Sequence, residues 1–129
     1  MRSNNILLVD DDEITLELVQ HILEEFVSGD IIALSSSIKA LEFIESVESN
    51  YLGLVICDWQ MPDHDGIDVL KKLRQTDKKT PFLMLTGNAT RDLVLTAKKS
   101  GATDFIAKPF RNSDLFDKVE NLLNSSDSL

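Results

Sequence analysis

The sequence predicts an α/β fold: a five-stranded parallel sheet of the (βα)5 kind, with helices on both faces. Short continuous apolar runs at residues 6–9, 54–57, 82–85 and 105–107 have the length and flanking turn signals of strands buried on both faces. Amphipathic helical stretches alternate with them along the chain, as βα units require. Each apolar run also ends at a polar residue, and in parallel strands such residues collect on one edge of the sheet.

Taken in order, the first strand ends at Asp10-Asp11-Asp12. A helix follows over residues 14–26, with apolar positions 14, 18 and 22 beside 16, 19, 23 and 26, until Gly29-Asp30 breaks it. Residues 31–34 form a short strand, and Ser35, Ser36 and Ser37 offer hydroxyl caps for a helix through Leu41, Phe43, Ile44 and Val47. Residues 50–53 turn the chain into the strand that ends at Asp58. A loop with Met61, Pro62 and Gly66 leads to a helix through Ile67, Leu70 and Leu73.

Thr80-Pro81 marks the start of the strand ending at Thr86, and a helix over residues 90–100 stops at Gly101, a favourable C′ residue. The strand containing Phe105 ends at Lys108, and the last helix covers residues 113–123. Residues beyond 123 read as a frayed tail. The whole is one domain over residues 1–129, without repeats or linker, and these patterns leave the strand order open.

With 43% apolar residues among 129, the chain can bury a full core. Its net charge of −9 argues against direct nucleic-acid binding, which needs a basic face; Lys71, Lys72, Lys78, Lys79, Lys98 and Lys99 are scattered among acidic segments. Cys57 is the sole cysteine, which excludes an internal disulfide and a thiolate cluster. Four apolar residues before the acidic triple are too few for a signal peptide or membrane span, so a cytoplasmic protein without membrane attachment is expected. His21 and His64 have no neighbouring ligand residues and read as surface positions.

The strand-end set consists of the acidic triple, Asp58, Thr86 and Lys108. Alone, the triple could be a solvated charge run or a favourable negative charge at a helix N-terminus. The strand before it directs carboxylates toward the edge where Asp58 emerges. Two carboxylates about 4 Å apart repel by roughly 4 kcal/mol at an effective dielectric near 20. A hard divalent cation, Mg²⁺ in particular, relieves that repulsion with carboxylate and water oxygens. Asp58 is the reactive candidate because a rigid strand presents it at the rim. Lys108 can neutralise charge on a transferring phosphoryl group, Thr86 can donate to one of its oxygens, and Gly87 leaves room for its approach.

The segments ILLVDDDE, LVICDWQMPDHDG, FLMLTGNA and GATDFIAKPF match in order, spacing and flanking strands. Over residues 5–123 the chain resembles the receiver domain of two-component response regulators, especially the single-domain chemotaxis type. The resemblance implies a doubly wound, flavodoxin-like five-stranded parallel sheet with strand order 2-1-3-4-5. It implies that Asp58 is the phosphoacceptor, taking a phosphoryl group from a phosphohistidine on a sensor kinase or phosphotransfer protein. Asp11 would ligate Mg²⁺ (or Mn²⁺) directly, Asp10 partly through water, and Asp58 and the Gln60 backbone carbonyl would join them. Thr86 and Lys108 would hold phosphoryl oxygens, and the Lys108–Pro109 bond would be cis. In-line attack by the Asp58 carboxylate would give an acyl phosphate that water later hydrolyses. No other cofactor is implied.

Thr86 and Phe105 are the expected switch pair, although Phe105 stands where many members carry tyrosine and offers no ring hydroxyl. Gln60 and Asn88 occupy variable positions that influence acyl-phosphate lifetime in the family. Output would come from contact with a downstream protein, by a monomer or weak dimer, through a face of helix 90–101, the Phe105 strand and the last helix. Helix 1 carries apolar residues beyond one core-facing stripe, which marks it as a docking surface unless both groups are buried.

Two alternatives share parts of this pattern. In a haloacid-dehalogenase-type phosphatase, Asp10 would be the nucleophile and Asp12 the general acid, but no acidic strand end follows Lys108, no cap domain is evident and Asp58 has no role. A receiver-fold interaction module that is never phosphorylated would not need the complete residue set.

Overall fold

In a computed structural model, which describes residues 4–125, five strands and five helices alternate. The elements are β1 (Asn5–Val9), α1 (Glu13–Glu24), β2 (Ile31–Leu34), α2 (Ser37–Ser46), β3 (Leu52–Asp58), α3 (Gly66–Thr76), β4 (Phe82–Thr86), α4 (Arg91–Ser100), β5 (Asp104–Ala107) and α5 (Asn112–Ser125). All pairings are parallel and the order is β2-β1-β3-β4-β5, as the resemblance implied.

Alternate residues of the inner strands divide the core into two layers. Leu7, Val9, Val55, Cys57, Phe82 and Met84 pack with α2, α3 and Ala97 of α4, whereas Ile6, Leu8, Leu54, Ile56, Leu83 and Leu85 pack with α1 and α5. Both faces of β1, β3 and β4 are therefore covered, which is why these strands read as unbroken apolar runs rather than alternating ones.

Local signals end most helices where the chain suggests. Ser36 caps α2 by accepting from Lys39 N–H, and Thr90 caps α4 by accepting from Leu93 N–H. Asp65 and Asp68 form a reciprocal capping box at α3. Gly101 takes the left-handed conformation at φ 107° that closes α4.

Two helix boundaries differ from expectation. The first helix ends at Glu24, with a turn at residues 25–26, well before Gly29. Tertiary packing sets this end, because Phe26 leaves the helix to meet Phe116 edge-on at 4.5 Å and Val27 joins the α1–α5 core. Gly29 instead permits close passage of strand backbone, since a Cβ there would lie 2.4 Å from the Asn4 carbonyl oxygen. The last helix continues through Ser125, so the expected tail begins too early; residues 126–129 lie outside the described part. No helix among the described residues is long and apolar enough to cross a membrane.

Candidate functional site

The chain leaves β1 toward β2 on one side and reaches β3 on the other, which makes the carboxyl ends of β1 and β3 a topological switch point. Val9 pairs in register with Cys57, so the following residues, Asp10 and Asp58, emerge side by side. Carboxylate oxygens of Asp10, Asp11 and Asp58 lie within 4.8 Å of one another. Asp10 is fully buried, Asp58 is 7% exposed and Asp11 is open to solvent.

Lys108 reaches this cluster from the end of β5. Its Nζ donates to Asp10 Oδ2 at 2.9 Å and to Asp58 Oδ1 at 3.1 Å. The Lys108–Pro109 bond is cis, as implied, and Lys108 N–H donates to the Thr86 carbonyl at 2.7 Å. Asp10 Oδ1 accepts from Asp12 N–H at 2.9 Å, which holds the buried carboxylate in one orientation. Thr86 is buried and its Oγ1 accepts from Asn88 N–H at 3.0 Å, leaving its own proton available at the rim. A Cβ at Gly87 would meet nothing within 4 Å, so the space beside that residue is open.

Burial raises the Asp58 carboxyl to a pKa of about 6; the charge of Asp10 pushes the same way and Lys108 opposes it. Lys108 is also desolvated, but its bonds to Asp10 and Asp58 outweigh that and raise its pKa. Burial, with the Asp58 and Asp10 charges, lifts the Cys57 thiol far above its ordinary value, so it stays protonated beside the site.

The members of the acidic run separate by function. Asp12 is exposed and is the N-cap of α1, accepting from Ile14 N–H at 3.1 Å and the Thr15 hydroxyl at 2.9 Å. The helix-terminus reading of the triple thus holds for Asp12, whose carboxylate is engaged by the helix and is not one of the clustered three. Phe105 is half-buried against the core and has the Lys118 ammonium 6.0 Å from its ring centre. Gln60 is exposed in the β3–α3 loop. That loop is pinched at its base by Gly66 N–H to Trp59 O at 2.7 Å and anchored by Trp59 N–H to Leu85 O at 2.9 Å. Trp59 is 9% exposed and belongs to the core.

The donor set suits a hard divalent cation: among the described residues the clustered ligands are three carboxylates, one deeply buried, and the neighbouring Cys57 thiol stays protonated. One ammonium cannot balance three carboxylates, and that excess negative charge is what such a cation would offset.

This fold and edge define a class. The response regulator receiver domain family matches residues 6–120, and the chain belongs to that family. It is a receiver domain of the CheY type, a phosphoacceptor signalling module rather than a conventional enzyme. The chain is 29% identical to chemotaxis protein CheY1 of Helicobacter pylori over 124 residues, covering 95% of this chain and 98% of that protein. It is 33% identical to the transcriptional regulatory protein ZraR of Klebsiella oxytoca over 122 residues, 95% of this chain but 26% of that protein. A CheY-like receiver domain from Methanospirillum hungatei superposes with a TM-score of 0.86 at 26% identity, covering 98% of both chains. Neither the phosphatase nor the passive-module alternative gains support.

Proposed function

We propose that Asp58 accepts a phosphoryl group from a phosphohistidine donor and that the resulting acyl phosphate switches a protein-binding face. The observation that carries this reading is the Lys108 ammonium held between Asp10 and Asp58, at the mouth of an otherwise acidic, half-buried edge. A carboxylate that served only structure would not need a neighbour placed to follow its charge onto a transferred group.

Asp10, Asp11, Asp58 and the Gln60 carbonyl would hold Mg²⁺, with Mn²⁺ as a substitute. When bound, that ion supplies positive charge to the phosphoryl oxygens and to the attacking carboxylate. β3 holds the Asp58 backbone in a rigid strand end, and from there the carboxylate would attack phosphorus in line with the departing histidine nitrogen. The P–N bond breaks, the P–O bond to Asp58 forms, and the nitrogen departs with its electron pair. Lys108 shifts its donation from the Asp58 carboxylate to a phosphoryl oxygen, and Thr86 donates its free hydroxyl proton to another. Water later attacks the phosphorus, the P–O bond to Asp58 breaks, and inorganic phosphate leaves with the carboxylate restored.

Movement of Thr86 toward the phosphoryl group frees space beside Phe105, whose backbone pairs in register with Met84, two residues before Thr86. Without a ring hydroxyl, Phe105 signals by packing alone. The face of α4, β5 and α5 then presents the output to a downstream protein. On α1, Ile14 is 80% and Leu18 46% exposed, while Leu16, Val19, Ile22 and Leu23 of the same helix are buried. The exposed pair is the docking ground for the phosphodonor protein, with the chain acting in the cytoplasm as a monomer or weak dimer and without nucleic-acid contact.

Treatment with a small phosphodonor and Mg²⁺, followed by intact-mass measurement, tests the chemistry. Wild type should gain one phosphoryl group and Asp58→Asn none. Equal labelling of both proteins would remove Asp58 from the reaction.

A further inference from the structure

Three serines precede and open α2, and the first turn needs only one hydroxyl, which Ser36 supplies. Ser37 is used differently. It is 4% exposed, one of few buried polar residues among those described. Its hydroxyl donates to the Pro62 carbonyl at 2.8 Å and accepts from His64 N–H at 3.2 Å. The same His64 N–H also reaches the Pro62 carbonyl at 2.8 Å, and Asp63 between them has φ 71°. A three-residue turn closed this way with a positive central φ is the rare, strained form of γ-turn, and a non-glycine residue holds it only under outside constraint. One hydroxyl, acting as donor to one end and acceptor from the other, provides that constraint.

The clasped turn lies in the loop that carries Gln60. Trp59 is anchored to β4 and Gly66 closes the loop's base, where a Cβ would come within 2.6 Å of the Asp58 carbonyl oxygen. Gln60 thus sits between a fixed point at Trp59 and a second at Pro62, and the second depends on Ser37.

We infer that Ser37 is a positioning residue for the cation site: by clasping the Pro62–His64 turn from α2, its hydroxyl keeps the backbone that offers the Gln60 carbonyl in one arrangement. The inference rests on the reading of the carboxylate edge as a Mg²⁺ site. Ser37 touches neither the ion nor the reacting atoms. It lowers the ordering needed when the ion binds, a role that outer partners of metal ligands commonly fill.

The test compares Ser37→Ala with Ser36→Ala in the full chain, using Mg²⁺ titration calorimetry, melting curves and phosphorylation by a small phosphodonor. Ser37→Ala should weaken Mg²⁺ binding about fivefold, the effect of one lost hydrogen bond. Its phosphorylation rate at saturating Mg²⁺ should stay within about twofold of wild type, with only the Mg²⁺ requirement raised. Ser36→Ala removes a helix cap without touching the loop, so it should lower the melting temperature and leave Mg²⁺ affinity unchanged. Should the alanine variant fail to fold, Ser37→Cys, which keeps a γ atom of similar reach but hydrogen-bonds weakly, should show the same shift. Unchanged Mg²⁺ affinity in the Ser37 variant, or an equal loss in Ser36→Ala, overturns the inference while the cation site stands. A wild-type protein that takes up no Mg²⁺ overturns the cation site and this inference together.

Discussion

Lys108 Nζ lies 3.1 Å from Asp58 Oδ1, a contact that joins residues fifty positions apart from two different strand ends. The same ammonium is bonded to the fully buried Asp10, so its removal leaves two desolvated carboxylates facing each other. Lys108→Met should destabilise the cation-free protein by about 2–4 kcal/mol, somewhat below the usual cost of breaking a fully buried pair because the lysine is partly exposed. The same change should strengthen Mg²⁺ binding at least about fivefold, because a competing positive charge is gone. Chemical denaturation with and without Mg²⁺ measures both, and weaker Mg²⁺ binding in the variant would contradict the arrangement.

Asp58 carries a pH signature of its own. Its folded pKa of about 6 lies above the ordinary 3.8, so the native state holds this proton more tightly than the unfolded chain. Stability from this group therefore increases as pH falls from above 6 toward 4, and the charged form destabilises the cation-free fold at neutral pH. Asp58→Asn should raise stability at pH 7.5 by about 1–3 kcal/mol, and the difference should shrink toward pH 4. A variant less stable than wild type at neutral pH would mean that the carboxylates are not in conflict.

Mg²⁺ should stabilise the wild-type protein by about 2.7 kcal/mol when present at a hundred times its dissociation constant, since the assembled carboxylates exist only in the folded state. Asp10→Asn and Asp58→Asn should lose most of this gain. Thermal melts across a Mg²⁺ series, with Ca²⁺ for comparison, provide the check.

Docking and chemistry should separate at α1. Ile14 and Leu18 are exposed, so Ile14→Gln with Leu18→Gln should change stability by less than about 0.5 kcal/mol each. Phosphoryl transfer from a phosphohistidine protein should fall at least about tenfold, as expected when apolar anchors of an interface are truncated, while labelling by a small phosphodonor is unaffected. Equal loss with both donors would place the effect at the acceptor edge instead.

Phosphorylation should alter hydrogen exchange along α4, β5 and α5, with Phe105→Ala uncoupling that change from acyl-phosphate formation. Changes confined to the acceptor edge in the wild type would remove Phe105 and this face from the signal.

Much of this protein is legible in one dimension. Apolar runs buried on both faces declare β1, β3 and β4, the Ser35–Ser37 stretch announces the start of α2, and Gly101 marks the end of α4, because those signals act over a few residues. Residue types at strand ends likewise point to a cation and a phosphoryl group. Helix ends shaped by distant partners were not legible: Phe26 turns away early to meet Phe116, ninety residues later in the chain.

Within the acidic triple, only the folded structure tells Asp10, buried under Lys108, from Asp12, spent on a helix cap. Neighbouring carboxylates are chemically identical along the chain, and the direction each side chain takes depends on the strand register and on the backbone that receives it. Ser37 shows the same divide, since three like hydroxyls in a row carry no mark of which one will clasp a turn 25 residues away. Sequence by itself determined the sheet, the helices and the chemical inventory of the edge. Tertiary structure decided which members of that inventory meet, because parallel strands bring together residues that no local interaction connects.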